Sequence, residues 1–252
     1  MATSPSHSIR VSSAPRIASY SLQDQDHPEI ELAQAEHRIR LGNTTAVLAE
    51  AIGPSGHIDA VDPGAPDYGS PFTLAQAQAY MSSSSDVAVL SHCIWYFASE
   101  QVLEQILKSL KGRVKRVCIA EYALYATEKA AIPHALAVLA RGSLESCKAE
   151  SSENVRSPLS PRAITDIAKR SGWAPAQEDS VVPAVGLLDG SWEVGTVVSP
   201  RFLRDLEVTV PNARMRLMIA SARDAAMAAV DALDGAQVQT MDVWAAVFSQ
   251  ST

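Results

Sequence analysis

The sequence predicts an α/β fold with a mostly parallel sheet, helices on both faces and an antiparallel C-terminal strand. Three observations carry this. Helical and strand-like patterns alternate through the middle of the 252-residue chain. The runs beginning "DVAVL" and "RVCIA" are short, apolar and bounded by polar turns, as strands of a covered sheet are. The end of the chain, from "DSVVPAVGLL" to "MDVWAAVF", reads as a set of returning strands around one long helix.

The elements follow in order. Residues 1 to 26 are polar and unpatterned and read as a disordered tail, and residues 27 to 252 as a single domain. A helix is expected after Asp26-His27, with Pro28 in its first turn and Glu29 and Glu31 near its positive end. "NTTAVLAEAIG" is a second helix, capped by Asn43 or Thr44 and stopped by Gly53. "HIDAVDP" is a strand closed by Pro63, and "SPFTLAQAQAYM" a helix with Ser70 as cap and Pro71 in its first turn. Four serines at 82 to 85 precede the buried strand "DVAVLS", expected to be apolar on both faces.

"SEQVLEQILKSLKG" has the clearest helical spacing: Ser99 as cap, then Val102, Leu103, Ile106, Leu107 and Leu110 on one face, and Gly112 as stop. "RVKRVCIAEYAL" is the next strand. A helix starts near Pro133, and another, in "SPLSPRAITDIAKRSGW", is capped and ends at Gly172. "DSVVPAVGLLDGSWEVGTVVS" reads as strand, turn, strand. "NARMRLMIASARDAAMAAVDALDG" is a long helix, and "VQTMDVWAAVF" the last strand.

Composition narrows the function classes. Net charge is −7 and no Lys/Arg run exceeds two residues, so a nucleic-acid surface, which needs clustered cations, is not expected. No apolar run reaches the roughly 20 residues that span a bilayer. The N-terminus lacks the apolar core of a signal peptide, and a cytoplasmic location is expected. Three widely spaced cysteines, Cys93, Cys118 and Cys147, argue against a disulfide framework and a cysteine-based zinc site. Asp59, Asp62 and Asp67 lack the closing Glu of a calcium loop and read as a solvated turn, so no metal is expected. The Ala- and Met-rich helix at 212 to 234 is read as core packing or the face of a homodimer.

The segments "AVLAEAIGPSGHIDAVDPGAPDYGSPFTLAQAQ", "DVAVLSHCIWYFAS", "RVCIAEYAL", "GLLDGSWEVG" and "MDVWAAVF" resemble, in order and spacing, the class I S-adenosylmethionine-dependent methyltransferases. The nearer resemblance is to a fungal small-molecule group within them, over about residues 28 to 248. It implies a Rossmann-like sheet, S-adenosylmethionine as cofactor, and methyl transfer to a small organic acceptor, in the manner of secondary metabolism. By resemblance, Asp62 matches the acid that binds the ribose hydroxyls, and Gly42 is what remains of the cofactor loop. His92 matches a cofactor-side position and is the candidate base. Trp95, Tyr96, Glu121 and Tyr122 match the substrate rim.

The sequence departs from that family twice. The first strand and its glycine-rich loop are absent before Thr44, and a further strand and helix are absent at the four serines. The expected sheet is therefore truncated. Removing strands 1 and 3 from the family's order leaves 2-4-5-7-6. The breaks fall around whole elements, as in the loss of exon-like pieces rather than gradual decay. The alternative function is a catalytically inactive, methyltransferase-like binding or partner protein. A nicotinamide oxidoreductase is weaker, because it needs the same missing glycine turn.

Overall fold

The computed structural model describes residues 86 to 251 apart from 152, all within one unit, Ser84–Thr252. The expected tail, the helices and strand before residue 82, Gly42 and Asp62 lie outside the described residues.

Four strands form the described sheet: β1 (Val87–Ser91), β2 (Arg116–Tyr122), β3 (Trp173–Val181) and β4 (Val243–Gln250). Their spatial order is β1-β2-β4-β3. β1 and β2 pair in parallel, while β4 is antiparallel to both β2 and β3. Three strands therefore run one way and only the C-terminal strand is reversed, as the sequence predicts. The order also matches the 4-5-7-6 portion of the truncated sheet.

Local sequence explains most of the helices. In α1 (Glu100–Leu110), Leu103 and Leu107 are one turn apart and fully buried. Gly112, at φ +75°, ends that segment in a backbone region that suits glycine. α2 (Ile132–Glu145) has Pro133 in its first turn and follows a 3-10 turn, Lys129–Ala131. α3 (Pro161–Arg170) is capped by Ser160, whose hydroxyl accepts from the Ala163 amide at 3.2 Å. α6 (Ala213–Asp231) is capped by Asn212, which accepts from the Met215 amide at 3.0 Å.

Along β2 and β4, Val117, Ile119, Glu121, Trp244, Ala246 and Phe248 alternate onto one buried face. There they join Leu103 and Leu107 of α1, Ile164 and Ile167 of α3, and Trp173 in one apolar core. Trp173 completes its burial by donating its indole N–H to the Leu107 carbonyl at 2.9 Å. A second core joins α2 to α6 with two further helices: α4 (Asp189–Val198) and α5 (Pro200–Thr209).

Two elements differ from the expectation. "DSVVPAVGLLDGSWEVGTVVS" is not strand, turn, strand: β3 begins earlier, at Trp173, and "DGSWEVGTVV" is α4. Its apolar residues, Val194 and Val197, are buried against α2 and α5 rather than alternating on a sheet. α5, unforeseen, follows directly from Pro200. β1 is also less covered than expected, being half-buried with Val89 exposed.

α4 is seated by close backbone approach. A Cβ on Gly190 would stand 2.2 Å from the Gln239 carbonyl oxygen, whereas one on Gly195 meets nothing within 4 Å. Gly190→Ala should therefore destabilise the protein by about 2 kcal/mol or more. Gly195→Ala should stabilise it by about 0.5–1 kcal/mol through helix propensity. Urea denaturation of the two variants checks the contrast, and equal midpoints would contradict it.

Candidate functional site

The carboxyl ends of the parallel strands β1 and β2 lie side by side, the place where open α/β sheets bind ligands. Ser91 pairs with Ala120, and the His92 amide still donates to the Ala120 carbonyl at 2.9 Å. The chain then turns sharply, with His92 at φ 48°. A non-glycine residue held in this region carries about 1–3 kcal/mol of strain and is found at functional sites. The turn swings the His92 ring onto the strand ends, 4.5 Å from the Tyr122 ring.

Glu121 fixes this corner. It is 1% exposed, and both carboxylate oxygens are engaged. Oε2 accepts from the Ile94 amide and Oε1 from the Tyr122 amide, each at 3.1 Å. His92 Nδ1 lies 3.4 Å from Oε1, within ion-pair reach but without a hydrogen bond. A buried carboxylate is retained only with such partners, so Glu121 joins the end of β2 to the turn after β1.

Trp95 and Tyr96 sit in a 3-10 turn, Ile94–Tyr96. Trp95 is buried and donates its indole N–H to the Leu159 carbonyl at 3.1 Å. Its ring still reaches Tyr122, with centroids 5.3 Å apart. Tyr96 is exposed. The structure thus gathers His92, Trp95, Glu121 and Tyr122 at one rim.

It adds two residues that the sequence reading missed. His134, in the first turn of α2, is fully buried with its ring 5.2 Å from that of Tyr122. Its Nδ1 accepts from the Met241 amide at 3.0 Å, while Nε2 is buried without a partner. Burial lowers its pKa to about 4, against a smaller opposing pull from the Asp189 charge. Asp189, in the first turn of α4, acts on Tyr122 as well. Burial raises the Tyr122 phenol above its ordinary range, and the charge and hydrogen bonding of Asp189 add to this, followed by Glu121 and Glu193. Nothing in the local pattern marks either residue: "IPHALAVL" reads as a helix with a histidine, and Asp189 lies in a segment that reads as strand, turn, strand.

Arg141 ties the two helices that carry them. Its guanidinium meets Glu193 of α4 at 2.6 Å and Glu153 at 2.7 Å, and it is nearly buried. None of the three cysteines forms a disulfide. Among the described residues, no group of three or more His, Cys, Asp or Glu side chains is placed to hold a metal ion. Among them, too, no helix is long and apolar enough to cross a membrane.

The sequence is 26% identical over 227 residues to the methyltransferase phomM' of Diaporthe leptostromiformis, covering 64% of this chain and 58% of that one. It is 25% identical over 252 residues to the methyltransferase phomM of the same organism, covering 75% and 64%. The chain therefore spans less than two thirds of the length of either relative. No family model matches it. In fold it resembles a cyclopropane-fatty-acyl-phospholipid synthase-like protein from Lactobacillus casei, with a TM-score of 0.65 at 23% identity, over 82% of this chain and 80% of that one.

The burial of His134 has a pH consequence. Its pKa is about 4 when folded against about 6.5 when unfolded, so between these values only the unfolded chain takes up a proton. This contribution to stability is complete above the unfolded value and is lost as pH falls towards the folded one, by an amount on the order of a few kcal/mol. The drop in urea midpoint between about pH 7 and about pH 4.5 should be smaller in His134→Gln than in the parent. An unchanged drop would rule out His134 as its source.

Proposed function

We propose that this class I methyltransferase-like chain transfers a methyl group from S-adenosylmethionine to a small organic acceptor. The observation that carries the proposal is the cluster of His92, Glu121, Tyr122 and His134 at the carboxyl ends of β1 and β2, in a chain related to two methyltransferases. The described part of the site suits the cofactor. It offers the aromatic face of Tyr122, backed by the buried Trp95, to attract a sulfonium, and an unpartnered buried nitrogen on His92. Bound there, S-adenosylmethionine supplies an electrophilic methyl group.

Each residue has a distinct part. Glu121 is a positioning residue: with both oxygens taken by backbone amides, it sets where the His92 ring stands. His92 presents Nδ1 to that carboxylate, leaving Nε2 as the nitrogen that receives a proton from the acceptor. Tyr122, with the buried Trp95 packed behind it, supplies a dry, aromatic wall that positions a flat acceptor and excludes water. Tyr96, in the same 3-10 turn as Trp95, is exposed. Gly42 and Asp62 would hold the methionine and ribose end, as the resemblance implies. We further propose a cytoplasmic enzyme of secondary metabolism. Self-association as a homodimer would use α6, where Met215, Leu217 and Met218 are exposed, and light scattering at high concentration tests this against a monomer mass.

Isothermal titration of the full chain with S-adenosylmethionine should give a saturable heat. No heat at millimolar cofactor would sink methyl transfer by this chain and leave the non-catalytic alternative. With a turned-over acceptor in hand, His92→Ala should lower kcat by about 100-fold or more while leaving cofactor affinity within a few-fold. A fall in affinity equal to the fall in rate would instead make His92 a binding residue.

A further inference from the structure

We propose that His134 and Asp189 clamp the reacting end of the methyl acceptor and select an uncharged O–H or N–H group. That group binds by taking a hydrogen bond from His134 Nε2 and donating one to the Asp189 carboxylate, and it gives up that proton to His92 Nε2 only as the methyl group is transferred. The inference rests on reading this rim as an acceptor pocket.

The tautomer comes first. The Met241 amide donates to His134 Nδ1 at 3.0 Å, so Nδ1 carries no proton. The ring is neutral near neutral pH, because burial holds its pKa near 4. The single ring proton is therefore on Nε2. That N–H is buried and has no acceptor among the described residues, and the residue is 0% exposed. A buried donor left in this state is costly, and a ligand oxygen or nitrogen lone pair relieves it.

The charges then decide what kind of ligand. Asp189 acts electrostatically on both His134 and Tyr122, and Glu121 and Glu193 act on Tyr122 as well. Glu193 is paired with Arg141, whereas no ion pair is formed by Asp189 with any described residue. A carboxylate entering here would meet negative charge with one neutral donor to hold it. A permanent cation would leave the His134 donor unpaired. Asp189 already takes part in a hydrogen bond with the Tyr122 phenol, and a neutral group that both accepts and donates satisfies the His134 donor and adds a second bond to that carboxylate, with the Tyr122 ring 5.2 Å from His134 as a surface for its carbon frame.

The test is nuclear magnetic resonance of the full chain with ¹⁵N-labelled histidine, titrated with phenol, aniline, anisole and benzoate. The His134 signal should show a neutral, Nε2-protonated ring. Phenol or aniline should shift its N–H resonance saturably, and the stronger of the two tells hydroxyl from amine. Anisole, which has no hydrogen to donate, should bind at least ten-fold more weakly, and benzoate should leave the signal unmoved. Asp189→Asn should weaken the favoured probe at least ten-fold with the tautomer unchanged. An Nδ1-protonated ring, no shift with either protic probe (a slot filled by water only), equal binding of anisole, or binding of benzoate would each overturn the proposal. None of these readouts involves S-adenosylmethionine, so a failure of cofactor binding is separable from a failure of the clamp.

Discussion

The described structure depends on the segment Val238–Asp242, which enters the interior just before β4. Every residue along it is engaged. The Gln239 amide donates to the Ala130 carbonyl at 2.9 Å, and its own carbonyl lies where only a glycine, Gly190, allows such an approach. Thr240 accepts a long bond from the Gly190 amide at 3.4 Å and donates to the Leu187 carbonyl at 3.3 Å. Met241 sets the His134 tautomer. Asp242, 1% exposed, accepts from the Thr127 amide and hydroxyl at 2.9 and 2.6 Å, while its carbonyl accepts from Ala123 at 2.8 Å. A strand inserted between β2 and β3 thus also locates α2, α4 and the loop after β2.

This coupling links stability to the site. His134 and Asp189 stand on different helices, and their relation is set by the same polar segment that delivers β4 to the sheet, with Arg141 joining the helices further along. Buried polar networks of this kind are costly when incomplete and rigid when satisfied. Of the four buried side-chain polar atoms without a partner among the described residues, two, His92 Nδ1 and His134 Nε2, fall at the strand ends; the others are Arg156 Nε and Ser171 Oγ.

Much of this was legible beforehand because its causes are local. Leu103 and Leu107 announce α1 by spacing, Ser160 and Asn212 cap their own helices, and Gly112 and Gly172 end segments at positive φ. His92, Trp95, Glu121 and Tyr122 were singled out by the family resemblance, at positions that end or follow strands the apolar runs reveal. Their arrangement was not legible: only the fold shows that Glu121 spends both oxygens on backbone amides and that Trp95 turns into the core.

By itself, the sequence determined the strand-forming runs, the self-capped helices and the reversed last strand, since each follows from periodicity and neighbours a few residues apart. Tertiary structure decided α4 and the clamp. The cap position of α4 is Leu188, which offers no side-chain acceptor, and the hydroxyl that meets its first turn belongs to Thr240, 50 residues away. A helix satisfied from so far along the chain leaves no local signal. The same holds for His134, whose chemistry is set by an amide 107 residues away.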